Sequence, residues 1–201
     1  VVTDRLSDQI DVLDFWGAAV RTINVTAILG QEERANPGRM DRDESGNLYV
    51  VEHTSGQVLV FDPKGRLLRE FGQRGKGEGK FEMIADVAVS ADGTAYVLDS
   101  RGRTPVIQAF DREGRWISGF GRHGDKPQDF HFPVALALDG AGLLWVADAF
   151  SHEVKAFTTS GEFLGAFGEM GTAESQFYFP SDLVAASDVL YVLEKGGRRL
   201  Q

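Results

Sequence analysis

The segment Leu48-Tyr49-Val50-Val51-Glu52 decides the fold, because the chain returns to it three more times. The later copies are Ala95-Tyr96-Val97-Leu98-Asp99, Leu144-Trp145-Val146-Ala147-Asp148 and Leu190-Tyr191-Val192-Leu193-Glu194. The aromatic residues of successive copies stand 47, 49 and 46 positions apart. Short runs rich in aromatic and β-branched residues favour β-strands. The period therefore indicates a repeated unit built from short strands.

Three further registers keep the same spacing. They are a Phe closing an apolar run (Phe61, Phe110, Phe157), a Phe-Gly pair (71–72, 120–121, 167–168) and a later Phe (Phe81, Phe130, Phe177). A fixed period of about 40–50 residues made of short strands is typical of a β-propeller. The sequence therefore predicts an all-β fold of four-stranded antiparallel blades.

The second repeat gives the pattern of one blade. Strands are predicted at 86–89, 94–99, 106–110 and 116–120, with Gly93 in the first turn, where a tight hairpin needs a positive φ. No helical period of useful length is present in the sequence.

The repeats predict a single β-propeller domain over residues 1–201, which we expect to be incomplete. Their approximate bounds are 36–80, 81–129, 130–176 and 177–201, the last partial, while 1–35 is irregular or part of a preceding blade. In that first part, 10–15 and 23–29 are predicted as strands. We expect about three full blades and parts of two, from a six-bladed ring of roughly 280 residues.

Composition narrows the functional classes. The net charge of −9 opposes a nucleic-acid partner, because phosphate binding needs a basic surface. The absence of cysteine excludes disulfides and thiolate metal sites. No apolar run approaches the ~20 residues of a membrane span, so no membrane insertion is expected. An exported or periplasmic location is slightly favoured over a cytoplasmic one.

The repeat resembles the NHL family over about residues 36–201. The resemblance rests on an acid that ends a strand, a short polar loop and an apolar strand closing in Phe, as in 148–157 and 52–61. A Phe-Gly pair, a Gly-x-x-Gly loop and a proline at Pro133 and Pro180 follow the same pattern, from which Ile84 departs. The resemblance implies the propeller fold. It implies no single activity, because family members include protein-binding scaffolds, sensor domains, RNA-binding domains and a few lyases.

The acids of the repeated segment have two interpretations. Glu52, Asp99, Asp148 and Glu194 share one register, so a propeller brings them to one end of the ring. A structural interpretation has each carboxylate accept backbone N–H groups in its own loop. The functional interpretation is a ring of acids that binds a hard cation.

A metal-dependent enzyme is the alternative to a binding module. The histidines at 53, 123, 131 and 152 share no register that would converge on zinc, and a family lyase's histidine set has no match here. Asp86 and Asp182 occupy one position of the first strand and are the alternative channel-facing metal ligands. The equivalent residues in the other two repeats are Ala135 and Arg39.

The sequence best fits a non-catalytic binding scaffold that presents loops on one face of the ring. Candidate ligand- or partner-binding residues are Glu52, His53, Arg74, Arg101, Arg103, Arg122, His123, Phe150 and His152. The expected partner is a protein or peptide, with a small molecule as the other option and self-association if the ring is incomplete. No cofactor is expected, with calcium or zinc as the alternative; a lyase or lactonase, and then RNA binding, are the alternative functions.

Overall fold

The computed structural model describes residues 1–4, 8–30, 32–102, 105–186 and 188–201. These residues form five small antiparallel sheets in chain order, which we call blades 1 to 5. Each sheet follows the order of its strands in the chain, so every connection within a blade is a hairpin or short loop. The arrangement is that of a β-propeller, as the repeat predicts.

The strands of the five blades are as follows. Blade 1 contains β1 (Val2–Asp4), β2 (Gln9–Leu13) and β3 (Ala19–Asn24). Blade 2 contains β4 (Pro37–Arg42), β5 (Leu48–Glu52), β6 (Gln57–Phe61) and β7 (Leu67–Phe71). A parallel pair, β8 (Gln73–Arg74) and β9 (Lys80–Phe81), lies in the loop to blade 3.

Blade 3 contains β10 (Ile84–Val89), β11 (Ala95–Asp99), β12 (Ile107–Phe110) and β13 (Trp116–Phe120). Blade 4 contains β14 (Pro133–Leu138), β15 (Leu143–Asp148), β16 (Glu153–Thr158) and β17 (Phe163–Phe167). Blade 5 contains β18 (Pro180–Ala186), β19 (Val189–Glu194) and β20 (Arg199–Leu200). The strands of blade 3 lie within two residues of those predicted.

The first strands of the blades line a central cavity of about 400 Å³. Strands β4, β10, β14 and β18 lie side by side there, and Val1 and Thr3 of the β1 segment complete the lining. The second strands lie behind them, and every residue of β5 and β11 is buried. Burial on both faces explains why these strands are continuously apolar until the acid that ends them.

Phenylalanines of the repeat form the contacts between blades. Phe157 is 2% exposed, and its ring centroid lies 5.4 Å from those of both Phe130 and Phe163 and 5.6 Å from that of Phe120. The Phe-Gly pair has a steric reason. Gly72 has a φ of 82°, and a Cβ there would lie 2.6 Å from the ring of Phe81. Glycine therefore lets the next repeat's Phe close over the end of the blade.

Two expectations for the ends of the chain need correction. The segment predicted as a strand at 23–29 divides, because β3 ends at Asn24 and a short helix, α1 (Val25–Leu29), follows. The Asn24 side chain accepts a hydrogen bond from the Ala27 N–H, which caps the helix. The shared register of Tyr49, Tyr96, Trp145 and Tyr191 predicts that all four lie in the core, but Tyr191 is 42% exposed, since no described sheet packs against the outer face of blade 5.

Removing one phenylalanine side chain from the contact between two blades should destabilise the fold strongly. We expect Phe157→Ala to lower the free energy of unfolding by about 3–5 kcal/mol, because the cavity would open between two blades. Urea denaturation followed by circular dichroism measures this. Phe15→Ala is the matched control, since the Phe15 ring is 95% exposed. Equal midpoints for the two variants would contradict this packing.

Candidate functional site

The acids that end the second strands act as structural staples. Glu52 is fully buried, and its carboxylate accepts hydrogen bonds from the backbone N–H groups of Asn36 (2.7 Å), Thr54 (2.9 Å) and Ser55 (2.7 Å). Asn36 immediately precedes the first strand of the blade. The carboxylate therefore ties its own loop to the residue that enters the first strand of the same blade.

The same arrangement recurs in the later blades. Asp99 accepts from the N–H groups of Glu82 and Met83, Asp148 from those of His131 and Phe132, and Glu194 from that of Tyr178. All four acids are at most 1% exposed. This geometry matches the structural interpretation of the register, in which the carboxylates point into their own loops.

Hydrogen bonds also control the ionisation of two of these acids. Burial raises the pKa of Glu52, but the Ser55 hydroxyl and the backbone N–H groups of Asn36, Ser55 and Thr54 outweigh it, so the pKa lies below its ordinary value. The pKa of Glu194 is also lowered, because the Tyr178 N–H, Arg199 and Gln201 outweigh the effect of burial. Both acids are therefore charged at neutral pH and serve as strong acceptors.

We call the end of the ring that carries these acids the loop face. The loop that follows the staple acid lies on this face, beside the start of the loop that leads to the next blade. In blade 2 the backbone N–H of Arg74 donates to the Ser55 carbonyl and joins these two loops. The predicted residue Arg101 is exposed on this face. Arg103 lies outside the described residues.

His53 and Arg74 make contacts within this face. The Nδ1 atom of His53 lies 3.1 Å from the carbonyl oxygen of Ile84, at the entry to the next blade. Arg74 donates to the His53 carbonyl at 3.1 Å and is exposed. In the next blade the hydroxyl of Ser100, which occupies the register of His53, donates to the Pro133 carbonyl. Residues at the register of His53 thus link neighbouring blades.

Arg122 and His123 lie in the loop between blades 3 and 4. The Arg122 Nε atom donates to Asp129 at 3.0 Å, and the His123 Nδ1 atom lies 3.2 Å from the carbonyl oxygen of Phe130. Asp129 is buried, and its pKa is lowered because the bond and charge of Arg122 outweigh burial. Both predicted residues therefore brace their own loop.

Phe150 and His152 belong to a cluster that sequence reasoning did not assemble. We define the aromatic patch as the five side chains on the loop face between blades 4 and 5: Phe132, Phe150, His152, Tyr178 and Phe179. Phe150 stacks on Phe132 with ring centroids 4.9 Å apart and meets Phe179 edge-on at 6.2 Å. The imidazole of His152 stacks on Tyr178 at 5.9 Å. Phe150 is 60% exposed, so the patch is open to solvent.

The backbone of the patch contains two residues with a positive φ. The turn position of His152 (φ 59°) has a positive φ in other repeats too, at Gly56 (φ 70°) in blade 2, where it is unstrained, and at Arg198 (φ 49°) in blade 5. Phe179 also has a positive φ, 56°, which is uncommon for a bulky residue. Its N–H donates to His152 Nδ1 at 3.2 Å rather than to the staple acid of its own blade. The patch is therefore held in an unusual conformation by a bond between blades.

Arg39 joins the two aspartates considered as metal ligands. It reaches across the central cavity to Asp182 of blade 5 and lies 3.5 Å from Asp86 of blade 3. Its guanidinium also donates to the carbonyl of Ser181. The described residues contain no group of three or more histidines and carboxylates arranged to hold a metal ion.

Asp86 has an unusual protonation equilibrium. It is 5% exposed, and burial raises its pKa to about 7, although Arg39 and the N–H groups of Leu136 and Val87 act in the opposite direction. The buried carboxylate can therefore take up a proton near neutral pH. A group of this kind in a cavity is a candidate for acid–base chemistry.

Sequence reasoning also missed a polar register in the third strands. Gln108, Lys155 and Gln201 stand at equivalent positions, and each donates to carbonyls of the loop that precedes its blade's first strand. Lys155 is 2% exposed, lies 3.5 Å from Asp148 and has its ammonium 5.7 Å from the Phe130 ring centroid. Polar residues repeated within otherwise apolar strands are the signal that could have revealed it.

Comparisons with known proteins agree on the fold. The chain superposes on virginiamycin B lyase from Staphylococcus aureus with a TM-score of 0.70 at 16% identity, over 98% of this chain and 60% of that one. A protein of unknown function from Bacteroides caccae gives a TM-score of 0.69 at 15% identity, over 96% and 66%. The chain thus spans about 60% of the lyase's length. At these identities the likeness establishes the β-propeller fold alone.

No family model matches the sequence. Over 83 residues the chain is 31% identical to the protein brain tumor of Drosophila melanogaster, a match that takes in 38% of this chain and 8% of that protein. No helix among the described residues is long and apolar enough to cross a membrane.

The structural role of the staple acids predicts that a nearly isosteric substitution of one of them lowers the stability of the fold substantially. We expect Asp148→Asn to lower the free energy of unfolding by about 2–4 kcal/mol, because a buried charged acceptor would be lost beside Lys155. Thermal or urea unfolding measures it. Asp125→Asn is the matched control, since that side chain is fully exposed. A change as small as the control's would contradict the role assigned to the register.

Asp86 predicts a pH dependence of stability. Because its pKa is raised when folded, the folded chain holds a proton that the unfolded chain releases between pH ~4 and ~7. The contribution of Asp86 to stability is therefore lost as the pH rises through this window, by at most about 1.4 kcal/mol per pH unit. We expect Asp86→Asn to flatten the decline measured by urea denaturation at a series of pH values. A slope identical to that of the unsubstituted chain would contradict it.

Proposed function

We propose that this protein is a non-catalytic binding module that captures a protein or peptide partner on its loop face. The aromatic patch is the observation that carries the proposal. Phe150, 60% exposed, projects from the loop that follows a staple acid, where the ring of blades provides a rigid support. Exposed aromatic residues on a rigid frame favour recognition, because they contribute a large contact area at little conformational cost.

The repeats themselves support a functional origin of the patch. Residues that blades 2 to 5 share, such as the staple acids, serve the fold. The register of Phe150 instead holds Thr54 in blade 2, Arg101 in blade 3 and Gly196 in blade 5. The positive φ of Phe179, which its equivalents Asn36, Met83 and Phe132 do not share, costs on the order of 1–3 kcal/mol. An exposed aromatic cluster at one blade boundary of the described residues, maintained at that cost, is a candidate binding site.

The proposal includes an NHL-type ring of six blades. It is supported by the acid, loop and Phe-Gly pattern of the repeats and by five sheets in ring order. The outer face of blade 5 exposes Val184, Tyr191 and Leu193. Their equivalents in blades 2 and 3 are buried, except that Asp41, which lines the central cavity, stands at the position of Val184. Self-association through this face is proposed for any form of the chain in which no further blade covers it.

The remaining parts of the proposal concern partners and location. The net charge of −9 favours a protein or peptide over RNA or DNA. We include an exported or periplasmic location and no required cofactor, with calcium or zinc as the alternative.

A lyase or lactonase is the second candidate function. It is favoured by Asp86 and Arg39 in the central cavity, where a buried carboxylate with a pKa of about 7 lies beside a guanidinium. Such a pair could accept a substrate proton and polarise an adjacent carbonyl. The fold is shared with virginiamycin B lyase.

The strained histidine gives a direct test of the proposed function. Asparagine tolerates a positive φ and can offer its side-chain oxygen where His152 Nδ1 now accepts. We expect His152→Asn to retain or slightly raise the melting temperature while weakening partner capture about fivefold or more, because the ring is lost. Calorimetry and pull-down from a lysate, with partners identified by mass spectrometry, measure the two quantities.

The proposed function fails if His152→Asn, combined with Arg101→Ala and Phe150→Ala, captures the same partners as the unsubstituted chain. The control is Phe15→Ala with Trp16→Ala, an exposed aromatic pair outside the patch with ring centroids 6.0 Å apart. Loss of capture in the control as well would indicate adhesion to any exposed ring.

A further inference from the structure

The rings of the aromatic patch leave one flat surface available. Phe132 covers one side of Phe150 at an interplanar angle of 23°, and Phe179 meets it nearly at right angles, at 79°. These rings touch one another, so no pocket separates them for a deeply inserted group. With 60% of Phe150 still exposed, the geometry suits a planar group that lies on the ring surface.

The charge around the aromatic patch indicates whether the planar group that it binds is cationic, neutral or anionic. The face of a phenyl ring carries the negative part of its quadrupole and attracts cations. Of the carboxylates near the patch in sequence, Asp125 is fully exposed, while Glu153 lies 3.6 Å from Lys155 and Asp182 is paired with Arg39 in the central cavity. Lys195 and Arg198 are the exposed basic residues of the adjoining blade 5 loop, and the whole chain carries a net charge of −9. A cationic ligand is therefore attracted to the molecule and then held by the rings.

We propose that the aromatic patch binds arginine side chains of a partner protein or peptide, with a guanidinium stacked on Phe150. This inference rests on the proposed binding function and names its ligand class. Arginine fits better than lysine because the guanidinium is planar, delocalised and weakly hydrated, and so stacks on an aromatic face. A lysine ammonium is a compact, strongly hydrated charge that gains less from the same surface.

The patch also offers polar groups for orientation. His152 Nδ1 accepts the Phe179 N–H, so the neutral imidazole carries its proton on Nε2. Nε2 is then a hydrogen-bond donor, which suits a backbone carbonyl of the bound peptide. The two strained residues thereby hold both a stacking surface and a donor in fixed positions, which reduces the ordering cost of binding.

The test compares two peptides of equal charge. The probes are fluorescein-labelled Gly-Arg-Gly-Arg-Gly-Arg and Gly-Lys-Gly-Lys-Gly-Lys, titrated at physiological salt by fluorescence anisotropy against the full chain. Simple attraction to an acidic protein predicts equal affinity, whereas stacking predicts that the arginine peptide binds about fivefold more tightly. Phe150→Ala leaves the charge unchanged and should reduce the preference to less than about twofold.

Phe15→Ala, which removes an exposed ring outside the patch, should keep the full preference for the arginine peptide, and circular dichroism verifies that each variant is folded.

Equal binding of the two peptides to the unsubstituted chain would overturn the inference, as would a preference that survives Phe150→Ala. If an oligoproline peptide or single-stranded RNA binds more tightly and loses affinity in Phe150→Ala, the ligand class is wrong while the patch remains a binding site. If no probe responds to Phe150→Ala and lysate capture is also unaffected, the proposed function fails too.

Discussion

The buried carboxylate that ends the second strand in each of blades 2 to 5 is the interaction on which the rest of the structure depends. Each of these acids holds the backbone N–H groups of residues that enter the first strand of the same blade. Because a buried charge without partners is very costly, the loop and the strand entry must form together. The staples thereby fix the loop face, and every other feature of that face is positioned by them.

Two residues depart from the pattern that the blades share, and each departure lies at a candidate functional site. In blades 3 and 4 the residue before the first strand donates its N–H to the staple acid, but Phe179 donates instead to His152 of the previous blade. Arg39 is a second departure, since it replaces an aspartate or alanine of the other repeats and spans the cavity to Asp182. The first change creates the aromatic patch and the second creates a charged cavity, so the two candidate functions arise from different irregularities.

The sequence was sufficient to predict the blades, because period, strand composition and turn glycines are local signals. The sequence identifies Phe150 as a candidate binding residue and places Asp86 and Asp182 at the channel. The patch itself is not predicted, because Phe179 comes from another blade and Phe132 reaches Phe150 only through the pairing of β14 with β15. The strain at His152 had a readable signal, namely a bulky residue at a turn position held by Gly56 in blade 2.

Hydrogen–deuterium exchange of the full chain, with and without saturating arginine peptide, tests the central claim most directly. A binding site on the loop face predicts slower exchange in the three loop segments that carry the patch, around residues 130–133, 149–153 and 178–180. It predicts no change at the opposite end of the ring, in turns such as 43–47 and 139–142. Slower exchange confined to those opposite turns, or spread evenly over all blades, would contradict a binding site on the loop face.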